Sequence, residues 1–276
     1  MQKKIKHNDL KKIRKNLLTN IITAAYHAGA NSAHLGGALS MIDIINMIFS
    51  KYINLSPNNF KSIDRDYFVL SKGHACLAYY SILAEKGFFS KNELKKFEKN
   101  NSPLLGHPVL NKKYGIDFST GSLGMGMSIA VGLAIGLKRK KLNKHVYVIL
   151  GDGECNEGVV WESFMSASNF KLNNLTVIID NNGFQQTGLN SEILNVAPLK
   201  DKMNSFGFQT IEIDGHNFDK IDLALKKKME NKPKCILAKT IKGKYLSFSE
   251  NDNKFHHATI SKSLFEKATN EIEKIN

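Results

Sequence analysis

Two short apolar runs, each ending in a polar turn, constrain the fold of this chain more than any other feature. His145-Val146-Tyr147-Val148-Ile149-Leu150 reads as a buried strand and empties into Gly151-Asp152-Gly153. Leu175-Thr176-Val177-Ile178-Ile179 reads the same way and leads to Asn181-Asn182. Between them, Val159 to Phe170 carries helical spacing. A strand, helix, strand unit of this kind makes a parallel pair, so both turns fall at the carboxyl ends of neighbouring strands. Open α/β sheets bind their ligands there, and Asp152 and Asn182 are expected to converge.

The turns offer one carboxylate, one side-chain amide and free backbone carbonyls, which are oxygen ligands for a hard divalent cation such as magnesium. Gly151 and Gly153 let the backbone approach a bulky anion, and the helix that follows is expected to point amide donors and its positive dipole end toward it. A metal-bridged diphosphate satisfies both halves of this chemistry. The residues alone leave a second reading open, a tight turn with a capping Asp followed by an Asn-rich hairpin.

The combination of Gly151-Asp152-Gly153 with Asn181-Asn182 resembles the motif of thiamine-diphosphate enzymes, and the flanking residues resemble the transketolase family. These are Glu154-Cys155-Asn156-Glu157-Gly158, Trp161-Glu162 and Gly183-Phe184-Gln185-Gln186-Thr187-Gly188. Four further blocks agree in order: Ser32 to Gly37, Leu70 to Ala75, Gly106-His107-Pro108, and Ser119 to Gly126. The likeness spans nearly the whole chain but covers only the amino-terminal portion of a conventional transketolase, the domain that grips the cofactor's diphosphate.

Carried over position by position, the resemblance implies that Asp152, the Asn182 side chain and the Phe184 carbonyl ligate the metal, magnesium or in its place calcium or manganese. His74, the loop Gly121, Ser122, Leu123 and Gly124, together with Gly153, Glu154, Asn182 and His256, would contact thiamine diphosphate. His34 and His107 would face the reacting sugar. Glu157 and Glu162 resemble family glutamates at the subunit interface that relay protons between sites. Three positions depart from the family pattern: Ala33 and His257 stand where glycine is usual, and Met125 where glutamine is usual. With a second histidine beside it, His256 shares its assignment with His257. Each histidine taken singly is also readable as a satisfied loop residue, and the glycine-rich loop as close helix packing through Ser128 to Ala134.

Helical patterns are expected over residues 8 to 29, 40 to 52 and 74 to 86, with Ser40-Met41-Ile42-Asp43 as a capped start. Tyr67 to Leu70 reads as a strand, as do Gln209 to Ile213 and Cys235 to Lys239, the last two joined by a helix from Phe218 to Met229. Ile241 to His257 reads as a polar loop too long for a mere connection, and Ser261 to Ile275 as a closing helix. The fold class expected is α/β, a helix-covered, mainly parallel doubly wound sheet of the thiamine-diphosphate PP-domain type. It forms a single domain over residues 1–276, with an N-terminal helical segment at about 8–60.

Composition excludes several alternatives. No apolar run is long enough to cross a bilayer, Met1 to Lys6 turns into a polar helix rather than a signal-peptide core, and a cytoplasmic location is expected. Cys76, Cys155 and Cys235 are scattered and odd in number, suiting neither a disulfide framework nor a zinc site. The net charge of +14 comes almost wholly from lysine, a solvated point charge rather than a bidentate reader of bases, so no nucleic-acid partner is expected.

In the family, a glutamate on a second, pyrimidine-binding domain activates the cofactor, and no segment here matches that domain. The resemblance therefore implies a separate C-terminal transketolase subunit in an α2β2 assembly, and transfer of a two-carbon ketol unit from a ketose (phosphate) to an aldose. Two other forms are a deoxyxylulose-phosphate-synthase-like ligation or decarboxylation, and a non-catalytic cofactor-binding subunit.

Overall fold

The computed structural model describes residues 5–275; the expectation for Met1 to Lys4 lies outside the described residues. Among the described residues, five strands form one sheet in the order β1-β2-β3-β5-β4, every pairing parallel. They are β1 (Tyr67–Leu70), β2 (Val146–Gly151), β3 (Leu175–Asn181), β4 (Gln209–Asp214) and β5 (Lys234–Lys239). Among the described residues ten helices accompany them: α1 (His7–Ala28), α2 (Gly36–Ser40), α3 (Ile42–Met47), α4 (Cys76–Glu85), α5 (Met125–Arg139), α6 (Gly158–Asn169), α7 (Asn190–Ile193), α8 (Leu199–Ser205), α9 (Phe218–Lys226) and α10 (Lys262–Lys274).

The central strands are buried on both faces, which is why they read as continuous apolar runs. Alternate residues still divide between two cores. Val146, Val148 and Leu150 of β2 face the layer of α5, α6 and α8, whereas Tyr147 and Ile149 face the layer of α1, α3, α4 and α9. The register pairs Gly151 with Asp180, so the two polar turns leave the sheet side by side. Asp152 N donates to the Asp180 carbonyl at 3.2 Å and Thr240 N to the Asn181 carbonyl at 3.2 Å, bringing the end of β5 into the same row.

Two local expectations are corrected. The helix expected over 40 to 52 is broken at Met41 into α2 and α3, followed by a π turn over Ile48–Tyr52. Ser40 does not cap it: its hydroxyl donates to the Gly37 carbonyl and the Asp180 carboxylate, a tertiary contact that outweighs local capping. The helix expected over Val159 to Phe170 is present as α6, one residue earlier. A 3-10 turn over Gly153–Asn156 precedes it, with Asp152 accepting from Gly153 N, and α6 starts at Gly158.

The long segment 241–257 is ordered by a buried network. Asp43 receives Arg14 Nε at 2.6 Å and pairs with His216 Nδ1 at 3.1 Å and the Tyr245 hydroxyl, tying α1, α3, the end of β4 and this segment together. Among the described residues, no helix is long and apolar enough to cross a membrane.

Candidate active site

The turns at the carboxyl ends of β1, β2 and β3 open onto a cleft of about 340 Å³. His34, His74, His107, Asp152, Gly153 and His256 line it, with Gly121, Leu123, Glu154, Asn182 and Phe184 between them. A larger groove of about 970 Å³ lies by the amino end of β1, walled by Phe60, Arg65, Tyr67 and Asp117. Arg65 and Asp117 are already paired there at 2.7 Å. Convergence of free polar groups, rather than volume, marks the smaller cleft as the candidate site.

Its floor is organised by Asp180, which is fully buried at the end of β3. Its carboxylate receives the Lys72 ammonium, the Ser40 and Thr240 hydroxyls, and Asn182 Nδ2 at 3.3 Å. Lys72 Nζ also donates to the Gly37 carbonyl at 2.8 Å. One carboxylate thereby joins α2, the turn after β1, the turn after β3 and the residue following β5. Burial alone would raise its pKa, but contact with the Lys72 ammonium and these donors holds it below the usual carboxylate range.

Glu154 has a similar internal task. Its carboxylate accepts the Ser71 hydroxyl at 2.5 Å, Gly124 N at 2.8 Å and Gly151 N at 3.1 Å. Although it borders the cleft, its oxygens hold the glycine-rich loop to β2 instead of facing outward. Backbone approaches around this loop are close. A Cβ on Gly73 would stand 2.7 Å from Gly121 N, and one on Gly153 2.8 Å from the Gln185 side chain. Gly121, at φ +144°, lies against the His107 ring.

Asp152 is almost wholly buried, and burial, reinforced by the neighbouring Asp180 charge, raises its pKa to about 6. Its oxygens accept Gly153 N at 2.9 Å and Gly183 N at 2.6 Å, and the Asn190 side chain bonds to the same carboxylate. Asn182 Oδ1 accepts Phe184 N at 3.0 Å. Above them the histidines gather: the His34 ring lies 5.4 Å from those of His107 and His256 and 5.7 Å from that of His74, centroid to centroid. Burial, then charge repulsion among the rings and from Lys242, takes His34 to about 3, and burial and Lys242 take His256 to about 4. His74 is held well below its usual value by burial and Lys72, and His107 is lowered by burial. These imidazoles are neutral near pH 7, able to donate from one nitrogen and accept at the other.

Several buried polar atoms around the cleft have no protein partner: Gln185 Nε2, Asn190 Oδ1, Thr120 Oγ1 and His256 Nδ1. Orphaned donors and acceptors of this kind fit an incoming polyanion with its metal and water. Among the described residues there is no cluster of three His, Cys, Asp or Glu suited to a metal. The donor set expected for a diphosphate-bound cation has one carboxylate, one amide and one carbonyl, and the residues present supply those three.

The sequence-expected residues do not all meet. Gly124 is buried behind the loop and Ser122 is exposed, while Glu157 and Glu162 lie exposed at the start of α6, outside the cleft lining. Conversely, sequence reasoning missed Lys72, Asp180, Gln186 and Lys242. Lys242 is buried, donates to the Gln185 carbonyl at 2.8 Å and to Asn253, and is lowered to about 8 by burial and by Lys72. A polar run such as Thr240-Ile241-Lys242-Gly243 following a strand was the available signal.

Fold and site together define an α/β domain with a polar, histidine-lined cleft at the carboxyl edge of a parallel sheet. The chain belongs to the transketolase family: residues 13–272 match the family model described as transketolase, thiamine diphosphate binding domain. It is 38% identical over 243 residues to the 6-deoxy-6-sulfo-D-fructose transketolase subunit SqwG of Clostridium sp. (strain MSTE9), covering 87% of this chain and 88% of that one. It is 33% identical over 270 residues to an apulose-4-phosphate transketolase subunit of Actinobacillus succinogenes, covering 98% of each. The Leishmania mexicana transketolase structure superposes with a TM-score of 0.86 at 26% identity, covering 96% of this chain and 41% of that one.

Proposed function

We propose that this chain is the diphosphate-gripping subunit of a thiamine-diphosphate-dependent transketolase, moving a two-carbon ketol unit from a ketose to an aldose together with a separate pyrimidine-binding subunit. The convergence of Asp152, Asn182, Gly153, His74 and the glycine-rich loop on one cleft carries this reading. Asp152, Asn182 Oδ1 and the Phe184 carbonyl would hold magnesium or a similar cation, and His74, Gly121, Gly153 and His256 the diphosphate. When bound, the cofactor supplies a carbon nucleophile that cleaves and re-forms the bond beside a carbonyl.

The neutral rings of His34 and His107 hold the sugar's hydroxyls and exchange protons with them at their nitrogens. Low pKa values keep both rings available as acceptors. Glu157 and Glu162, exposed at the start of α6, would meet a second copy of the chain in an α2β2 assembly. Exposed Leu105, Val109, Leu110 and Met125 flank His107 and the glycine-rich loop, an apolar rim suited to the partner subunit. The two relatives of matching length are named for sugars that carry a sulfo group or a phosphate, which supports a donor with an anionic end. Three free, buried cysteines support a reducing, cytoplasmic setting.

Titration calorimetry with thiamine diphosphate and magnesium tests the site. Asp152→Ala should weaken binding at least ten-fold, and unchanged affinity would sink the metal assignment. Turnover of a ketose phosphate by the chain reconstituted with its partner supports ketol transfer; activity only with an α-keto acid donor such as pyruvate overturns it.

A further inference from the structure

Of the two neighbouring histidines, His256 lines the cleft and His257 does not, and backbone pairing sets the place of His257. Ala33 and Ala258 form an isolated antiparallel bridge, exchanging two N–H···O bonds of 3.0 Å each. One residue to one side, Ser32 and Thr259 face each other with their hydroxyls 3.0 Å apart. On the other side, the same register opposes His34 and His257. Neighbours of a doubly bonded antiparallel pair belong to the closer, non-hydrogen-bonded kind, with both side chains on one face. The two rings have centroids 4.4 Å apart, the shortest separation among the ring pairs of the site's histidines.

These rings are graded in depth. His34, His74 and His256 are half-buried and line the cleft, His107 lines it but is exposed, and His257 is exposed beside His34, just outside the lining. Among the described residues, the His257 ring nitrogens meet no hydrogen-bond partner; its contact is with the His34 ring. A ring clamped by backbone register beside a catalytic candidate, with its nitrogens free, is a pre-positioned donor at low entropic cost.

We infer that His257 is a specificity-determining residue of the sugar site, hydrogen-bonding a hydroxyl or anionic oxygen of the ketose on carbons beyond the transferred two-carbon unit. It continues outward the row of ring donors that His34 begins. A short donor whose oxygens end at the reacting carbons does not reach the mouth; a five- or six-carbon ketose passes it. The inference rests on the transketolase reading above.

The test uses the chain reconstituted with its pyrimidine-binding partner and two donors that deliver the same unit, a five- or six-carbon ketose phosphate and a three-carbon β-hydroxy-α-keto acid. His257→Gly, which installs the residue usual in the family, should raise KM for the long ketose about ten-fold with kcat within about two-fold, the size of one lost hydrogen bond. The three-carbon donor should be used as well as before, and His257→Asn should restore much of the lost affinity. An equal loss on both donors, a fall in thiamine-diphosphate affinity, or no change with the long ketose would each overturn the assignment. Failure of the unsubstituted pair to use any ketose removes the transketolase reading itself and this inference with it, and is seen before any substitution is made.

Discussion

Lys72→Met isolates the charge that holds the site's loops together. The substitution keeps the length of the side chain and removes the ammonium that contacts Asp180, a pair with 1% and 0% side-chain exposure. Removing one member of a buried ion pair costs about 3–5 kcal/mol, because the survivor is left charged and without its partner. Ser40, Thr240 and Asn182 still donate to Asp180, which places the expected loss near the lower end, about 3 kcal/mol.

Urea denaturation followed by far-UV circular dichroism reads this as a midpoint shift of about 1 M for a slope near 3 kcal/mol/M. Three further results are required. Asp180→Asn added to Lys72→Met should recover at least half of the loss, since it removes the stranded charge and keeps an oxygen for the hydroxyls. The loss should be insensitive to added salt, as for a pair shielded from solvent. It should also shrink as pH falls from 7 to about 4.5: without Lys72, burial raises the Asp180 pKa above its unfolded value, so the folded variant takes up a proton first and is favoured by acid. A single-variant loss below about 1 kcal/mol, or a double variant less stable than the single, would refute the reasoning.

The histidines give the intact chain an acid-sensitive fold. His34 near 3, His256 near 4 and His74 well below 6.5 are neutral when folded, so below about pH 6.5 the unfolded chain binds more protons and stability falls as pH drops. The melting temperature should decline between pH 7 and 5 more steeply than in a His34→Asn, His256→Asn double variant, and parallel profiles would count against it. Gly73→Ala should destabilise by about 1–3 kcal/mol and weaken thiamine-diphosphate binding about ten-fold, because the new Cβ meets backbone atoms of Thr120 and Gly121 that cannot rotate away. Gly132→Ala, where a Cβ meets nothing within 4 Å on α5, should instead stabilise the isolated chain slightly. Wild-type cofactor affinity in Gly73→Ala would remove the close-approach argument.

The sheet was largely legible because its central strands bury both faces, leaving apolar runs such as Val146–Leu150 that no surface helix would carry. The two turns were legible as turns because Gly and Asn after such a run end a strand, and the matching blocks around them, rather than the turn residues alone, separated a ligand site from a plain turn. What stayed hidden was long-range. Nothing local in Ser40 distinguishes a helix cap from a hydroxyl directed at Asp180, 140 residues away. Lys72 sits in a Ser-Lys-Gly-His turn that reads as solvated, and only tertiary packing buries it. Glu154 could not be told from a ligand by spacing, since the carboxylate that anchors Gly124 and one that would face the cleft occupy the same position in the chain. Glu157 and Glu162 were read from resemblance as subunit-interface residues, and both are exposed on this chain, Glu157 just before α6 and Glu162 on it.

The charges of the cleft, taken together, favour an occupant that carries both signs. Asp152 is held near 6 because burial and Asp180 disfavour its ionised form, and a divalent cation beside it would reverse that cost. His34, His256 and Lys242 are pushed the other way, since burial and their mutual repulsion disfavour their cationic forms, and a nearby polyanion would relieve them. A cation alone would add to the repulsion on the histidines and Lys242, while a polyanion alone would add to the burden on Asp152. Only an occupant that brings both signs, with the cation at Asp152 and the anion toward the histidines, lowers every one of these costs at once. The same balance explains why Asp180 carries its own ammonium in Lys72: with that carboxylate neutralised internally, Asp152 is the acid left to face the cation, and the orphaned Gln185 and His256 nitrogens are left to face the anion.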